Sequence, residues 1–465
     1  MKEETNKMRI EEYLTEVKNQ IRDKKAREFV GKELQNHIED RAEGLQKKGV
    51  DHDRAILQAV EEMGDPVSVG VNLDFIHRPR LEWRFLLYII YISILGVGTM
   101  CLTFSAHPYG NVEYSGFVFQ QLSGVLLGVI AMIIVYRLDY TILAGRSRLI
   151  AGAFLILLTF LAIVFGVSIN GARRWIELGG MVFSTQVLFI LYLPIFAGIL
   201  YDYRNKGIGA IFKIFLWMIA PVFSLILYGR ISLNDAMLML SSEIILFAIA
   251  LNKNWYRVDK SKFLKITGII FVTTTALSAL RIASSSGYQN ARFKAWLSHI
   301  GIAVNNADEK LKYMNYTNSC LDNIFLKSRF IGKSESAMES VYGLPESMAD
   351  FVLAPIAATC GKAVVALIIV SLIVLAIYVF SVSVKQKNSL GSIVGFSCGI
   401  VIAIQAVSNF LIVFGLLPLA GTTLPFFSIG TGHIVVEYVL LGIVLSIYRY
   451  QDIRVENNPT IAEAA

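Results

Sequence analysis

The chain has 465 residues, of which 55% are hydrophobic and 17% charged, with a mean hydropathy of +0.56. These values exclude an ordinary soluble protein and predict a polytopic, all-α membrane protein. A formal charge of +7 suits inner loops lying against anionic lipid, so membrane lipid is an expected partner and nucleic acid is not.

The opening MKEETNKMRIEEYL has no apolar signal-peptide core, and the chain stays charged for about its first 80 residues. Residues 1–80 are therefore expected as a small soluble helical bundle on the cytoplasmic side. Phe29, Leu34, Ile38, Ala42 and Leu45 recur at helical spacing. Asp51 or Asp53 is placed to cap a following helix that carries Ile56, Ala59, Val60 and Met63, and the GDP at 64–66 ends it. The run KELQNHIEDRAEGLQKKGV followed by AILQAVEEMGDP resembles the helical prefix domain ahead of some bacterial permeases and signalling proteins. That resemblance implies a regulatory or docking role.

From residue 85 to about 450 the chain alternates apolar runs with short polar steps. The runs fall at 85–105, 116–136, 149–169, 182–200, 208–228, 236–251, 263–280, 351–382, 392–414 and 434–448. Most are long enough to cross ~30 Å of hydrocarbon, so about ten transmembrane helices are expected. Short loops on one side carry Arg137, Arg146, Arg148, Arg204, Lys206, Lys253, Arg257, Lys260, Lys262, Lys385, Lys387, Arg449 and Arg454. Those on the other side carry only Arg173, Arg174 and Arg230. The asymmetry puts the N-terminus and the tail at 451–465 in the cytoplasm. The step NGARRWIELGG and a long segment at 281–350 then lie outside.

Cys101, Cys320, Cys360 and Cys398 show no CxxC spacing, and the six histidines are scattered. Neither a disulfide framework nor a metal site is expected. No cofactor is implied, and the question of an assisting divalent metal stays open. Four ionisable residues fall within spans: Lys213, Glu243, Lys362 and Glu437. An acid at membrane depth is a functional candidate by default, and Glu437 and Lys362 are candidates to pair. A lipid or small-solute transporter would use Glu243 and Lys213 as coupling charges.

Four motifs then stand in order: GARRWIELG, IGKS, LPESMADF and NFLIVFGLLPLAGTTLPFFS. On a ten-span frame they resemble the SEDS family (shape, elongation, division and sporulation), which includes RodA and FtsW. Matching positions are Gly171, Ala172, Arg174, Trp175 and Ile176; Gly332 and Lys333; Leu344, Pro345, Glu346, Asp350 and Phe351; and Asn409, Pro418, Gly421, Pro425 and Phe426. The resemblance implies a peptidoglycan glycosyltransferase that polymerises lipid II at the outer face, with a transpeptidase-type penicillin-binding protein as partner. It makes Asp350 the catalytic carboxylate, at the start of the eighth span. Arg173, Arg174, Lys333 and Arg292 become candidates to face the leaving diphosphate, and Trp175 a wall for the lipid.

Each of those residues has a plainer role open to it. Asp350 can cap the eighth span, the arginines can anchor lipid headgroups, and Trp175 can belong to an aromatic belt. The chain also departs from the family pattern. Val187 and Ile190 stand where the family has an acid and a lysine, a joint loss that leaves no unpaired buried charge. GRISLNDA replaces PDLGT; Ala358, Thr359 and Cys360 replace EEL; and Leu326 to Arg329 replace GSGG. After the PFFS of the last motif, Ile429 to His433 replace YGGSS. A non-catalytic scaffold or regulator of a cell-wall synthase is therefore the alternative to an enzyme.

Overall fold

The computed structural model describes residues 2–77, 81–106, 113–169, 172–178, 181–227, 233–284, 288–304, 309–345 and 347–451. The chain divides into two compact units. The first holds Met1–Glu82, with Gln386–Asn388 and the chain from Ile447, and the second holds Trp83–Lys385 and Ser389–Ser446.

In the first unit α1 (Lys2–Gln20), α2 (Lys24–Gln46), α3 (His52–Glu62) and α4 (Pro66–His77) form a bundle. Val30, Leu34, Ile38, Ala42 and Leu45 of α2 face inward, with Leu14 and Val17 of α1, Ile21 just after it, and Ala55 and Ala59 of α3. Fully burying a side chain such as Ile38 contributes about 1.5–3 kcal/mol. The GDP break is built as read: Pro66 opens α4, and Asp65 Oδ2 accepts from Ser68 N at 2.8 Å. Asp51, not Asp53, stands at the N-cap position before α3, but its side chain makes no capping hydrogen bond. On the surface, the hydrogen bond from Arg41 holds the Glu62 carboxyl below its ordinary range.

A polar contact ties the turn after α1 to α4. Asp74 is buried, accepts from Arg22 N at 2.9 Å and stands 3.6 Å from Arg22 Nε. Asp74→Ala removes both contacts and is expected to cost about 1–3 kcal/mol. Limited proteolysis of the intact protein reads this as faster cleavage between residues 62 and 83. Unchanged cleavage would show that apolar packing alone holds α4.

The second unit opens with α5 (Trp83–Ala106), α6 (Tyr114–Arg137) and α7 (Ser147–Phe165). A three-stranded antiparallel sheet follows, β1 (Gly166–Ile169), β2 (Ala172–Leu178) and β3 (Met181–Ser184), in the order β1-β2-β3. Then come α8 (Thr185–Ile190), α9 (Tyr192–Asp202), α10 (Ile208–Leu227), α11 (Leu233–Asn252) and α12 (Lys260–Ser284). The segment at 281–350 is mostly helical, with α13 (Tyr288–His299), α14 (Glu309–Lys327) and α15 (Glu335–Tyr342). The chain ends with α16 (Leu353–Cys360), α17 (Lys362–Lys385), α18 (Ser389–Val413) and α19 (Thr431–Arg449).

Among the described residues seven helices are long and apolar enough to cross a membrane: α5, α6, α7, α12, α17, α18 and α19. Shorter apolar helices lie at Val187–Asp202, Ile208–Ser224 and Ala236–Asn252. On α7, Leu149, Ile156 and Ile163 are exposed at seven-residue spacing while Ala151, Leu155 and Leu158 are buried. A helix with apolar residues on its outer face as well as its inner one is suited to lipid.

Three expected runs are corrected. The run at 149–169 stops being helix at Phe165, where β1 begins. The run at 182–200 is not one span, because it starts in β3 and then divides into α8 and α9. The run at 351–382 is broken at Gly361, whose φ of 97° belongs to the left-handed region. A Cβ there would stand 2.7 Å from both Ile331 Cα and Phe330 O. The transmembrane helix therefore starts at Lys362, after a separate short α16.

Candidate active site

Asp350 is half-buried in the turn at 347–352, ahead of α16. It does not cap a span: the residue at the start of α16 is Val352, and α17 begins only at Lys362. What fixes Asp350 is the loop at 414–430 between α18 and α19. Asn409, fully buried on α18, donates from one amide nitrogen to Asp350 O at 2.8 Å and to Thr422 O at 2.6 Å. Ser428 Oγ donates to Ala349 O at 2.6 Å, and Ile429 N donates to Met348 O at 3.0 Å. The carboxylate lies beside Gly421, where an added Cβ would come within 3.0 Å of Oδ2. Backbone polar groups of the turn are thus paired with α18 and the loop, which holds the two segments together.

That loop is anchored in turn by α19. Phe426 N donates to Glu437 Oε2 at 2.6 Å, and Phe426 holds a φ of 65°, rare for a residue with a bulky side chain. Thr423 Oγ1 and His433 Nδ1 lie 3.2 Å apart. Glu437, read as a partner for Lys362, is bound to this backbone instead; among the described residues no ion pair joins the two, and Lys362 is exposed. The sequence marked Glu437 as a buried acid but held no sign of which backbone N–H it serves.

Lys333 sits on the strap at 329–334, which runs along the end of α16. Gly332 N donates to Cys360 O, Ser334 N to Ala358 O, and Lys362 N to Arg329 O, at 3.0, 2.8 and 3.0 Å. The Lys333 ammonium is paired with Glu335 at 2.9 Å. Pro345 lies in the turn after α15, and Pro418 and Pro425 lie in the loop at 414–430. Arg292 is half-buried on α13, which packs on α14, and Phe325 of α14 reaches Phe414 with ring centroids 5.0 Å apart.

Trp175 is half-buried on β2, opposite Val167 on one side and Ser184 on the other. Phe183 of β3, paired with Ile176, packs on Gly432, where a Cβ would meet its ring at 2.6 Å. Gly432 is close in sequence to Ile429, which bonds Met348. The sheet and the Asp350 turn are therefore joined through the start of α19. Gly171, Glu346 and the side chains of Arg173 and Arg174 lie outside the described residues.

Other chemistry finds less support. Among the described residues no group of three His, Cys, Asp or Glu side chains is placed to hold a metal. Burial pushes the Cys320 thiol above its ordinary range, the reverse of what a nucleophile needs. Val187, at the position where the sequence motif has an acid, is buried. Glu243 is buried on α11, and neither carboxylate oxygen has a hydrogen-bond partner among the described residues.

The sequence pattern of the FtsW/RodA/SpoVE cell cycle proteins matches residues 81–453. Stage V sporulation protein E of Bacillus subtilis is 25% identical over 373 residues, covering 78% of this chain and 96% of that protein. A "Probable peptidoglycan glycosyltransferase FtsW" of Enterococcus hirae is 26% identical over 388 residues, covering 79% and 92%. Among solved structures, a chain of a peptidoglycan synthase complex that coordinates polymerization and crosslinking superposes with a TM-score of 0.61 at 20% identity, covering 80% of this chain and 99% of that one. The rod shape determining protein RodA of Thermus thermophilus gives 0.54 at 18% identity, covering 80% and 97%. With the family pattern spanning most of its length and the helical fold shared, the chain belongs to the FtsW/RodA/SpoVE, or SEDS, family of bacterial membrane proteins.

Proposed function

We propose that this chain is a peptidoglycan glycosyltransferase that polymerises lipid II at the outer face of the cytoplasmic membrane. The observation that carries the reading is the fixed position of Asp350: a half-buried carboxylate on a turn bound to the loop at 414–430 by Asn409 and Ser428. A carboxylate held this way is suited to take the proton of an acceptor sugar hydroxyl as its oxygen attacks the anomeric carbon of the donor. The bond from that carbon to the lipid diphosphate breaks, and the diphosphate leaves with the electron pair. Arg173 and Arg174 on β2 are the cations assigned to that developing charge. Trp175 beside them supplies an apolar wall for the lipid-linked sugar. The ion pair with Glu335 favours a supporting role for Lys333 over direct contact with the diphosphate.

The arginine and lysine distribution supports cytoplasmic termini and an outer site. Reporter fusions at residue 310 and residue 385 test this, the first reading outside and the second inside. The reverse reading would put the site on the wrong face for lipid II polymerisation. Lipid II carrying a photoreactive group on its diphosphate-proximal sugar tests the site itself. It is expected to label peptides containing residues 172–178 or 347–352, and labelling confined to α10 and α11 would favour transport instead. The crosslinking complex to which one related structure belongs supports a transpeptidase as partner. The apolar replacements at Val187 and Ile190 favour a second reading, a non-catalytic scaffold for such a synthase.

A further inference from the structure

Where α14 gives way to the strap, the chain reads LKSRFIGKS over residues 326–334, with three basic residues and no acid. Leu326, Phe330 and Ile331 are 77%, 74% and 71% exposed, among the barest apolar side chains on the described surface. Lys327 and Arg329 are exposed between them, and Lys333 is turned to Glu335. The backbone beneath is fixed: Ser328 N donates to Ile324 O at 2.9 Å, and Ser334 Oγ donates to Lys327 O at 2.8 Å. An ordered tip that leaves three large apolar side chains uncovered calls for a partner.

The place of the strap along α17 names that partner. Lys362 N and Ala363 N, the first two amides of α17, donate to Arg329 O at 3.0 Å and to Phe330 O at 2.9 Å. The strap is therefore bonded to the first turn of that helix. α17 has 24 residues, which makes it about 36 Å long, a few ångströms more than the ~30 Å of hydrocarbon it must cross. Its first turn then lies at the headgroup layer, and the strap lies there with it. Deeper along the same helix Leu367, Val370, Val374 and Ile377 are exposed on one face, the stripe that α17 turns to lipid. Basic, aromatic and aliphatic side chains interleaved at the top of such a stripe match the boundary between phosphates and acyl chains. We propose that Leu326, Phe330 and Ile331 form an interfacial anchor that enters the acyl boundary of the leaflet where α17 begins, with Lys327 and Arg329 reaching its phosphates. The occupant is lipid. The contact depends on α17 spanning the bilayer and is independent of the chemistry at Asp350. Because Gly332 N and Ser334 N bond Cys360 O and Ala358 O of α16, the helix that follows the Asp350 turn, the anchor sets the depth of that turn in the membrane.

The test uses the full chain in lipid nanodiscs, which leave both membrane faces open to solution, with an environment-sensitive fluorophore on Leu326→Cys, Phe330→Cys or Ile331→Cys. The unsubstituted chain is the blank for the native cysteines, Val370→Cys the control in lipid and Glu43→Cys the control in water. Lipid with a nitroxide near its headgroup is expected to quench the three tip positions severalfold more than position 43, and aqueous iodide severalfold less. Lipid with a nitroxide near its acyl terminus should quench position 370 more than the tip. Adding Lys327→Gln and Arg329→Gln should lower the shallow quenching, and no change would remove the phosphate contact. Iodide quenching equal to that at position 43 would overturn the anchor by showing a tip in water. Protection from iodide and from both nitroxides would overturn it in favour of a second copy. Deep quenching equal to that at position 370 would overturn the interfacial depth.

Discussion

Asp350→Asn is expected to leave the protein folded and inserted but to lower glycan polymerisation by about 10²–10⁴-fold, the usual worth of a general base. The substitution keeps the shape of the side chain, and the backbone carbonyl that Asn409 binds is untouched. What is lost is the capacity to accept a proton at the moment of attack. Lipid II retention by the immobilised variant should therefore stay near wild type while turnover collapses. Equal turnover by the two proteins would remove Asp350 from the chemistry. Joint loss of retention and turnover would make it a structural residue.

Asn409→Leu is the second large effect expected. Leucine fills a similar volume without a donor, so Asp350 O and Thr422 O both lose the bond from Asn409, the second of them in a fully buried contact. Leaving such acceptors unmade costs about 1–3 kcal/mol each. The turn at 347–352 and the loop at 414–430 would then drift apart, and a displacement near 1 Å is enough to cost about 10²-fold in rate. Asn409 positions Asp350 and touches no substrate in this account. Its loss should thus lower kcat more than it raises KM, and detergent-solubilised protein should still run as one species. A rise in KM alone would place Asn409 in lipid binding.

Much of the fold was legible because its signals are local. Hydropathy located the long helices, and the 3.6-residue recurrence of Leu34, Ile38, Ala42 and Leu45 located α2. The GDP at 64–66 marked the end of α3. The sheet at 166–184 was missed although the sequence carried its signature. Asn170–Gly171 and Gly179–Gly180 each separate short runs by two residues, the strongest short-range hairpin signal. Apolar content hid it, since Val167, Ile169, Val182 and Phe183 serve a strand as readily as a span. The split at Gly361 was hidden for another reason. Its left-handed backbone is imposed by Phe330 and Ile331, about thirty residues away along the chain, and no local pattern encodes that approach.

The site divides in the same way. Asp350, Asn409 and Trp175 were found through motif resemblance, not through any property of their own neighbourhoods. The hold of Asn409 on Asp350 spans 59 positions and that of Ser428 on Ala349 spans 79. Glu437 stood out as an acid at membrane depth, but its role as acceptor for Phe426 depends on a loop conformation that only the folded chain defines.

The most direct measurement is polymerisation of purified lipid II by the purified protein in lipid, alone and with a transpeptidase-type partner, resolved as glycan strands by gel electrophoresis. The account predicts strands from the wild-type chain and none from Asp350→Asn under the same conditions. Unchanged lipid II in the presence of a wild-type chain that demonstrably binds its partner would contradict it and make this protein a scaffold.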